Sequence, residues 1–398
     1  MPQLPKPDYL VSLGLAIFVF FLPIYKQSST AGELLAALGW LLATAQNPSF
    51  MLQNAKKNLA LRWFGGIFLL YLLGMVYTQN TAVGLAELNG KHYLVSIPLF
   101  LGYFATLPKK HFSLLDVFIW GNVVAGTAII FTYFSGEIWL YAKPDVPSPF
   151  VQRPRASIFL AFALLLCVEQ CYKRVFFTKN TVFAGVLLLG LLVLQGRIGQ
   201  LGFGVMCLVW AYIRFKKQLN TTKLTLGLVA GLCVVALALE QVKVLKKPFL
   251  QAITELKQAE NGFKNVRIKD SSMGMRVVYY QVYAQILGKN PMLGVGTGDM
   301  EAAAKPFFSK KSSYFLPYNK PHNQFLECLI LFGVVGLCGF LGCILGLILG
   351  LKPKNSALGG AFWAMTLISM CLDSTLGTQV GVSFCVVFGS LFVLVDAA

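Results

Sequence analysis

A few residues in this chain stand where they could handle a proton or a phosphate. His322, one of three histidines, sits beside Asn323 at the mouth of an apolar run from Phe325 to Leu351. A titratable ring at the edge of a hydrophobic segment is costly to keep. It is either a residue resting at a water interface or a group with a chemical task. Arg197 divides two apolar runs, and Arg276 lies near the start of a helical pattern over 275–287 that Gly288 and Pro291 end. A guanidinium stays charged and offers a planar fork suited to phosphate. The alternatives are a snorkelling anchor for Arg197 and an ordinary loop arginine for Arg276. Between Arg276 and His322 runs Asn290-Pro-Met-Leu-Gly-Val-Gly-Thr-Gly298. There Gly294, Gly296 and Gly298 allow an anion nest of backbone N–H groups. The same glycines also suit a structural turn, since the Gly-Lys-Ser/Thr ending of a P-loop is missing. Glu327, a turn past Asn323, shares its face and could support this site. Asp116 and Glu169 read as structural polar contacts.

These groups must be positioned by elements that live in lipid. The 398 residues are 56% hydrophobic and 13% charged, with a mean hydropathy of +0.66. That balance excludes a soluble domain and predicts an all-α, polytopic integral membrane protein, a single membrane domain over 1–398. The first apolar segment lacks a small-residue cleavage site, so no cleavable signal is expected. The net charge of +18 would suggest nucleic acid in a soluble protein. Here topology and an anionic ligand explain it better, and no nucleic-acid partner is expected. The nine cysteines all fall in apolar segments, as small packing residues do, and show no metal-ligand spacing.

A bilayer is crossed by about 20 apolar residues. Twelve spans are expected, over 8–25, 30–46, 59–78, 92–107, 115–135, 157–172, 181–195, 198–214, 224–240, 323–351, 357–372 and 380–395. Asn319 and Pro321 read as start signals for the tenth. Short loops after even-numbered spans carry Lys or Arg and no acid, for example Lys56 and Lys57, Lys109 and Lys110, or Lys352 and Lys354. The positive-inside rule makes those loops and both termini cytoplasmic. Residues 241–321 form a long outer loop with thirteen Lys or Arg against five acids. Long loops are largely exempt from that rule, and a basic surface beside a membrane suits a phosphate-bearing substrate, although an ordinary solvated surface would look similar.

The pattern His322-Asn323, nine residues, then Gly333-x-x-Gly336 resembles the signature of bacterial O-antigen ligases and their relatives, which include O-antigen polymerases. The order agrees over roughly residues 180–395: an arginine at an outer hairpin, a long external loop, an arginine helix ending in Asn-Pro-x-x-Gly-x-Gly, and the histidine helix. The resemblance implies an inner-membrane glycosyltransferase that takes a glycan from undecaprenyl diphosphate at the periplasmic face. A ligase passes it to lipid A-core and a polymerase to another lipid-linked repeat. Membrane lipids are the remaining partner, and no cofactor, nucleotide sugar or metal is implied. In those terms Arg197 and Arg276 would clamp the diphosphate and stabilise developing charge, with Arg155 as a further phosphate ligand and Asn323, Gly294 and Gly296 beside the substrate. His322 would be the general base or a hydrogen-bond donor to phosphate. At a helix N-terminus the dipole disfavours its charged form. Direct attack inverts the anomeric centre.

A transporter or flippase for lipid-linked sugars is the rival from another class, since twelve spans is a common transporter count. The chain shows neither repeated halves nor paired broken helices at mid-membrane. A structural scaffold would explain neither the histidine motif nor the arginines.

Overall fold

The computed structural model describes residues 6–108, 110–136, 148–173, 179–216, 272–311 and 320–396, together with 250, 253 and 254. Among them the structure is all-helical, with no strand. The helices are α1 (Pro7–Phe21), α2 (Lys26–Gln46), α3 (Pro48–Lys57), α4 (Leu59–Met75), α5 (Thr81–Lys91), α6 (Tyr93–Thr106), α7 (Leu114–Ser135), α8 (Arg153–Tyr172), α9 (Lys179–Leu194) and α10 (Arg197–Phe215). They continue with α11 (Ser272–Lys289), α12 (Met300–Lys311), α13 (Gln324–Leu349), α14 (Ser356–Leu372) and α15 (Gln379–Leu394), with single 3-10 turns before and after α14.

Helices fall on eleven of the twelve expected spans, and the ninth, 224–240, lies outside the described residues. Five helical stretches are singly long and apolar enough to cross a membrane: α7, α8, α10, α13 and Pro353–Leu372. The α3–α4 pair makes a sixth if its 73° bend is taken as one broken span. The bend sits at Asn58, whose carboxamide caps α4 by accepting from Leu61 N at 2.8 Å and donates to Pro98 O at 2.6 Å. An N-cap side chain ends one helix and starts the next without leaving donors bare.

An aromatic cluster ties together the helices that matter for the site. Phe118 of α7, Phe159 and Phe162 of α8, Phe362 of α14, and Phe384 and Phe388 of α15 are all buried. Ring centroids lie 4.6 Å apart for Phe118–Phe388, 4.7 Å for Phe159–Phe384 and 4.9 Å for Phe162–Phe388. Edge and tilted pairs at such spacing hold geometry as well as burying area. They lock the start of α8 against the loop between α14 and α15. Asp116 and Glu169 are structural contacts: Gln170 donates to Asp116 at 2.7 Å, and Trp210 Nε1 donates to Glu169 at 2.6 Å. The eight described cysteines are all free.

α13 is not continuous. Gly333 has φ 65° and ψ −166°, which only glycine adopts readily. Val334 and Val335 therefore miss the carbonyls of Ile330 and Leu331. The segment after α11 fills the break from both sides. Val295 N and Gly296 N donate to Ile330 O and Leu331 O, both at 2.9 Å, while Val334 N and Val335 N donate to Pro291 O and Met292 O at 2.9 and 3.3 Å. Four bonds replace two, so these four groups keep partners inside an apolar span. A Cβ on Gly333 would lie 2.1 Å from Met292 O. The same segment also meets α4, where Thr297 Oγ1 donates to Tyr71 O at 2.7 Å.

Candidate active site

His322 precedes α13, with Asn323 as the N-cap. The Asn323 carboxamide oxygen accepts from Leu326 N at 3.0 Å, and its nitrogen donates to Cys371 O at 3.1 Å. The cap is Asn323 itself, two residues after the start signal Pro321, while Asn319 lies outside the described residues. Asn323 is also used differently from a substrate contact: both ends of its side chain are engaged in joining α13 to α14. That joint brings Asp373, at the end of α14, to His322.

Asp373 is the centre of the site. His322 Nδ1 lies 2.9 Å from Asp373 Oδ1, and Arg155 Nη2 lies 3.5 Å from Oδ2. Asp373 and Arg155 are nearly buried, whereas the His322 side chain is 41% exposed. Burial alone would raise the Asp373 carboxyl, but the hydrogen bond from His322 and the charge of Arg155 hold it below its usual value. An ionised carboxylate can only accept, so Nδ1 carries the proton in this contact. In the neutral ring this contact puts the lone pair on Nε2, which has no hydrogen-bond partner among the described residues. His322 also has φ 51°, a conformation uncommon outside glycine, so the surrounding contacts must hold it.

Arg155 belongs to the first turn of α8, the positive end of the helix dipole, where a cation is unfavourable. Asp373 offsets that cost. Arg155 also donates to Gln152, while its Nε is buried with no partner among the described residues. Two residues on, Ser157 Oγ accepts from Gly199 N at 3.1 Å, which packs the start of α10 on the start of α8. Arg197 is the first residue of α10, preceded by the N-cap Gly196 and by Gln195 with φ 52°. From the other direction α11 brings Tyr279, whose ring centroid lies 6.3 Å from that of His322. Arg276 is one turn earlier on the same face of α11. The structure thus joins His322 and Arg155 through a shared carboxylate and carries Arg276 on the helix that touches His322. Arg197 stands at a neighbouring helix end.

Gly294 and Gly296 do not form the expected anion nest. Both have positive φ, 70° and 98°, but the amide N–H groups from 294 to 298 are all taken. Gly294, Val295, Gly296 and Thr297 donate to the carbonyls of Asn290, Ile330, Leu331 and Gly74, and Gly298 donates to Thr78 Oγ1. Those donors close the break in α13 and cannot also hold a phosphate. The turn reading is the correct one.

Beside the site lies a buried ionic network that sequence inspection did not resolve. Lys320 Nζ contacts Glu87 at 3.0 Å and Glu327 at 3.3 Å, and Lys91 Nζ lies 3.6 Å from Glu87 while also donating to Leu376 O. Burial alone would lower Lys320, but the two carboxylates raise it above its usual value. Burial would raise Glu87, which Lys320 and Lys91 hold below its usual value. Glu327, expected to support the site, pairs with Lys320 two residues ahead of His322.

Asp373 was recognisable only as one acid in a short loop. Its weight comes from partners 51 and 218 positions away along the chain, which no local pattern reveals. The arrangement can accept a proton at Nε2 and attract an anion at Arg155. No curated protein matches the chain. Residues 182–341, from α9 into α13, match a family model described as O-antigen ligase; the stretch includes Arg197, Arg276 and His322 and leaves Arg155 and Asp373 outside. Over that stretch, well under half of its length, the chain is similar to the O-antigen ligase family, and several of its helices are long and apolar enough to cross a membrane.

Proposed function

We propose that the chain is an O-antigen ligase-like glycosyltransferase that moves a glycan from undecaprenyl diphosphate to lipid A-core at the periplasmic face of the inner membrane, with inversion. The observation that carries this reading is the His322–Asp373–Arg155 contact, a proton acceptor and a cation sharing one carboxylate. The acceptor hydroxyl oxygen attacks the anomeric carbon. The bond from that carbon to the phosphate oxygen breaks, and its electron pair leaves on the lipid diphosphate. The hydroxyl proton passes to Nε2 of His322, while Asp373 steadies the imidazolium that results. Arg155, Arg197 and Arg276 stabilise the diphosphate as it takes on charge. The diphosphate is already a good leaving group, so no nucleotide and no metal are needed. In this reading the 241–321 stretch is periplasmic, inserted in one membrane domain of twelve spans with both termini cytoplasmic.

The test is lipopolysaccharide gel analysis of a strain whose only copy carries His322→Ala. Core without O-antigen, together with accumulated lipid-linked polymer, is the result expected of a ligase. Core bearing a single repeat would assign polymerisation instead. A wild-type ladder would remove His322 from the chemistry and the reading with it.

A further inference from the structure

A second polar cavity opens at the same end of the bundle, across the loop that carries Asp373. It has a volume of about 500 Å³ and lies between α5, the start of α6 and the start of α15. Its wall includes Thr30, Glu87, Gly90, His92, Tyr93 and Gln379. Gln379 donates to Tyr93 Oη, and Thr30 Oγ1 lies 3.5 Å from the same hydroxyl. His92 and Tyr93 stack at 4.0 Å between centroids. Behind His92, Glu33 is buried, with Oε1 and Oε2 at 3.1 and 3.2 Å from Nε2, and Ser96 Oγ donates to Oε1 at 2.6 Å. Nδ1 faces Asn89 O. The loop from Asp373 to Gln379 is common to both places: Asp373 holds His322, and Gly377, Thr378 and Gln379 line the cavity. Lys320, two residues before His322, pairs with Glu87 of the cavity wall.

The chemistry of this wall differs from that around Arg155. The described cations that line it, Lys91 and His92, are each paired with a carboxylate, so the wall offers little to a phosphate. A hydroxyl, an amide, a carboxylate and two stacked rings suit a neutral ligand rich in hydroxyl groups. Sugars are recognised by such planar polar groups together with a ring face. A pyranose ring also fits within a cavity of this size. We infer that this cavity is a carbohydrate subsite, holding a sugar unit of the donor or acceptor glycan across the 373–379 loop from His322. The inference deepens the proposed glycan transfer and rests on it.

Gly90 allows a clean test, because a Cβ there meets nothing within 4 Å. Leucine at that position fills the cavity, and it also favours the helix over glycine. The full chain in nanodiscs is titrated with O-antigen oligosaccharide freed of lipid and phosphate, with binding read by saturation-transfer NMR. Wild type and His322→Ala are expected to bind alike. Gly90→Leu and Gln379→Ala should each weaken binding about tenfold or more, as the loss of one or two hydrogen bonds or of the space itself requires. In transfer assays Gly90→Leu should raise KM with kcat little changed, for the lipid-linked donor if its sugar sits here and for the acceptor if that one does. Undiminished binding by Gly90→Leu, or no binding by wild type, would overturn the subsite. Binding that depends on Gly90 in a protein with no transfer activity would support the subsite and sink the transfer reading alone.

Discussion

Asp373 accepts from His322 Nδ1 at 2.9 Å, which in the neutral ring puts the lone pair on Nε2. The same carboxylate holds Arg155, so one residue positions both the proposed base and the proposed phosphate ligand. Asp373→Asn should therefore damage two kinetic parameters together. Turnover should fall because the tautomer is no longer enforced, and donor KM should rise because Arg155 loses its anchor. His322→Ala should lower kcat by about 10²–10⁴-fold, the usual weight of a general base, with donor KM nearly unchanged. Purified variants assayed against lipid-diphosphate donor separate the two patterns.

The Asp373 carboxyl is held below its ordinary value, about 3.9. A depressed carboxylate contributes stability that is complete above that ordinary value and is lost as pH falls through the lower, folded one. The gap in thermal stability between wild type and Asp373→Asn should thus stay constant from pH 7 to about 5 and close only below about 4. A gap that closes near pH 6 would mean the carboxyl is raised, and with it the ion pair would be ruled out.

Arginine at 155 and 276 is expected to matter for its fork as well as its charge. Arg276→Ala and Arg155→Ala should each weaken donor binding by about 1.5–3 kcal/mol, the weight of a charge-assisted contact. Arg276→Lys should recover little of it, because an ammonium cannot make the paired contact. Full recovery by lysine would reduce the role of Arg276 to net charge.

Gly333→Ala tests the break in α13. Its φ alone costs an alanine about 1–3 kcal/mol, and the new Cβ would meet Met292 O at 2.1 Å. Lower thermal stability is the expected outcome, whereas Gly342→Ala, where a Cβ meets nothing within 4 Å, should be neutral or mildly stabilising.

Topology is checked by single cysteines in intact spheroplasts. Those at Lys257 and Lys310 should react with an impermeant thiol reagent, and one at Lys217 should not. The reverse pattern would overturn the assignment of the 241–321 stretch to the periplasm.

Much of this was legible before any coordinates. Apolar runs mark helices because lipid leaves the backbone no other partner, and His322 and the arginines stand out because polar groups at the ends of such runs are costly. The span count was less legible. The helix over Lys26–Gln46 is long, yet its Gly, Ser, Thr and Gln content keeps it outside the set apolar enough to cross by itself. The glycines at 294 and 296 were misleading, since their composition fits a nest and a turn alike and only their partners distinguish them. Gly333 enters the sequence reading only through the Gly333-x-x-Gly336 pattern, inside an apolar run that marks no break. Its break depends on a segment some forty residues earlier in the chain, which periodicity cannot register.

The threading of 291–296 into α13 also has a mechanical meaning. The C-terminal end of α11 is riveted to the membrane helix that begins beside His322, while Arg276 rides near the opposite end. About fourteen residues of helix separate Arg276 from the rivet, a lever of roughly 21 Å at 1.5 Å per residue. Held at that end and packed beside His322 through the buried Tyr279 near the other, α11 fixes where Arg276 stands as a rigid arm.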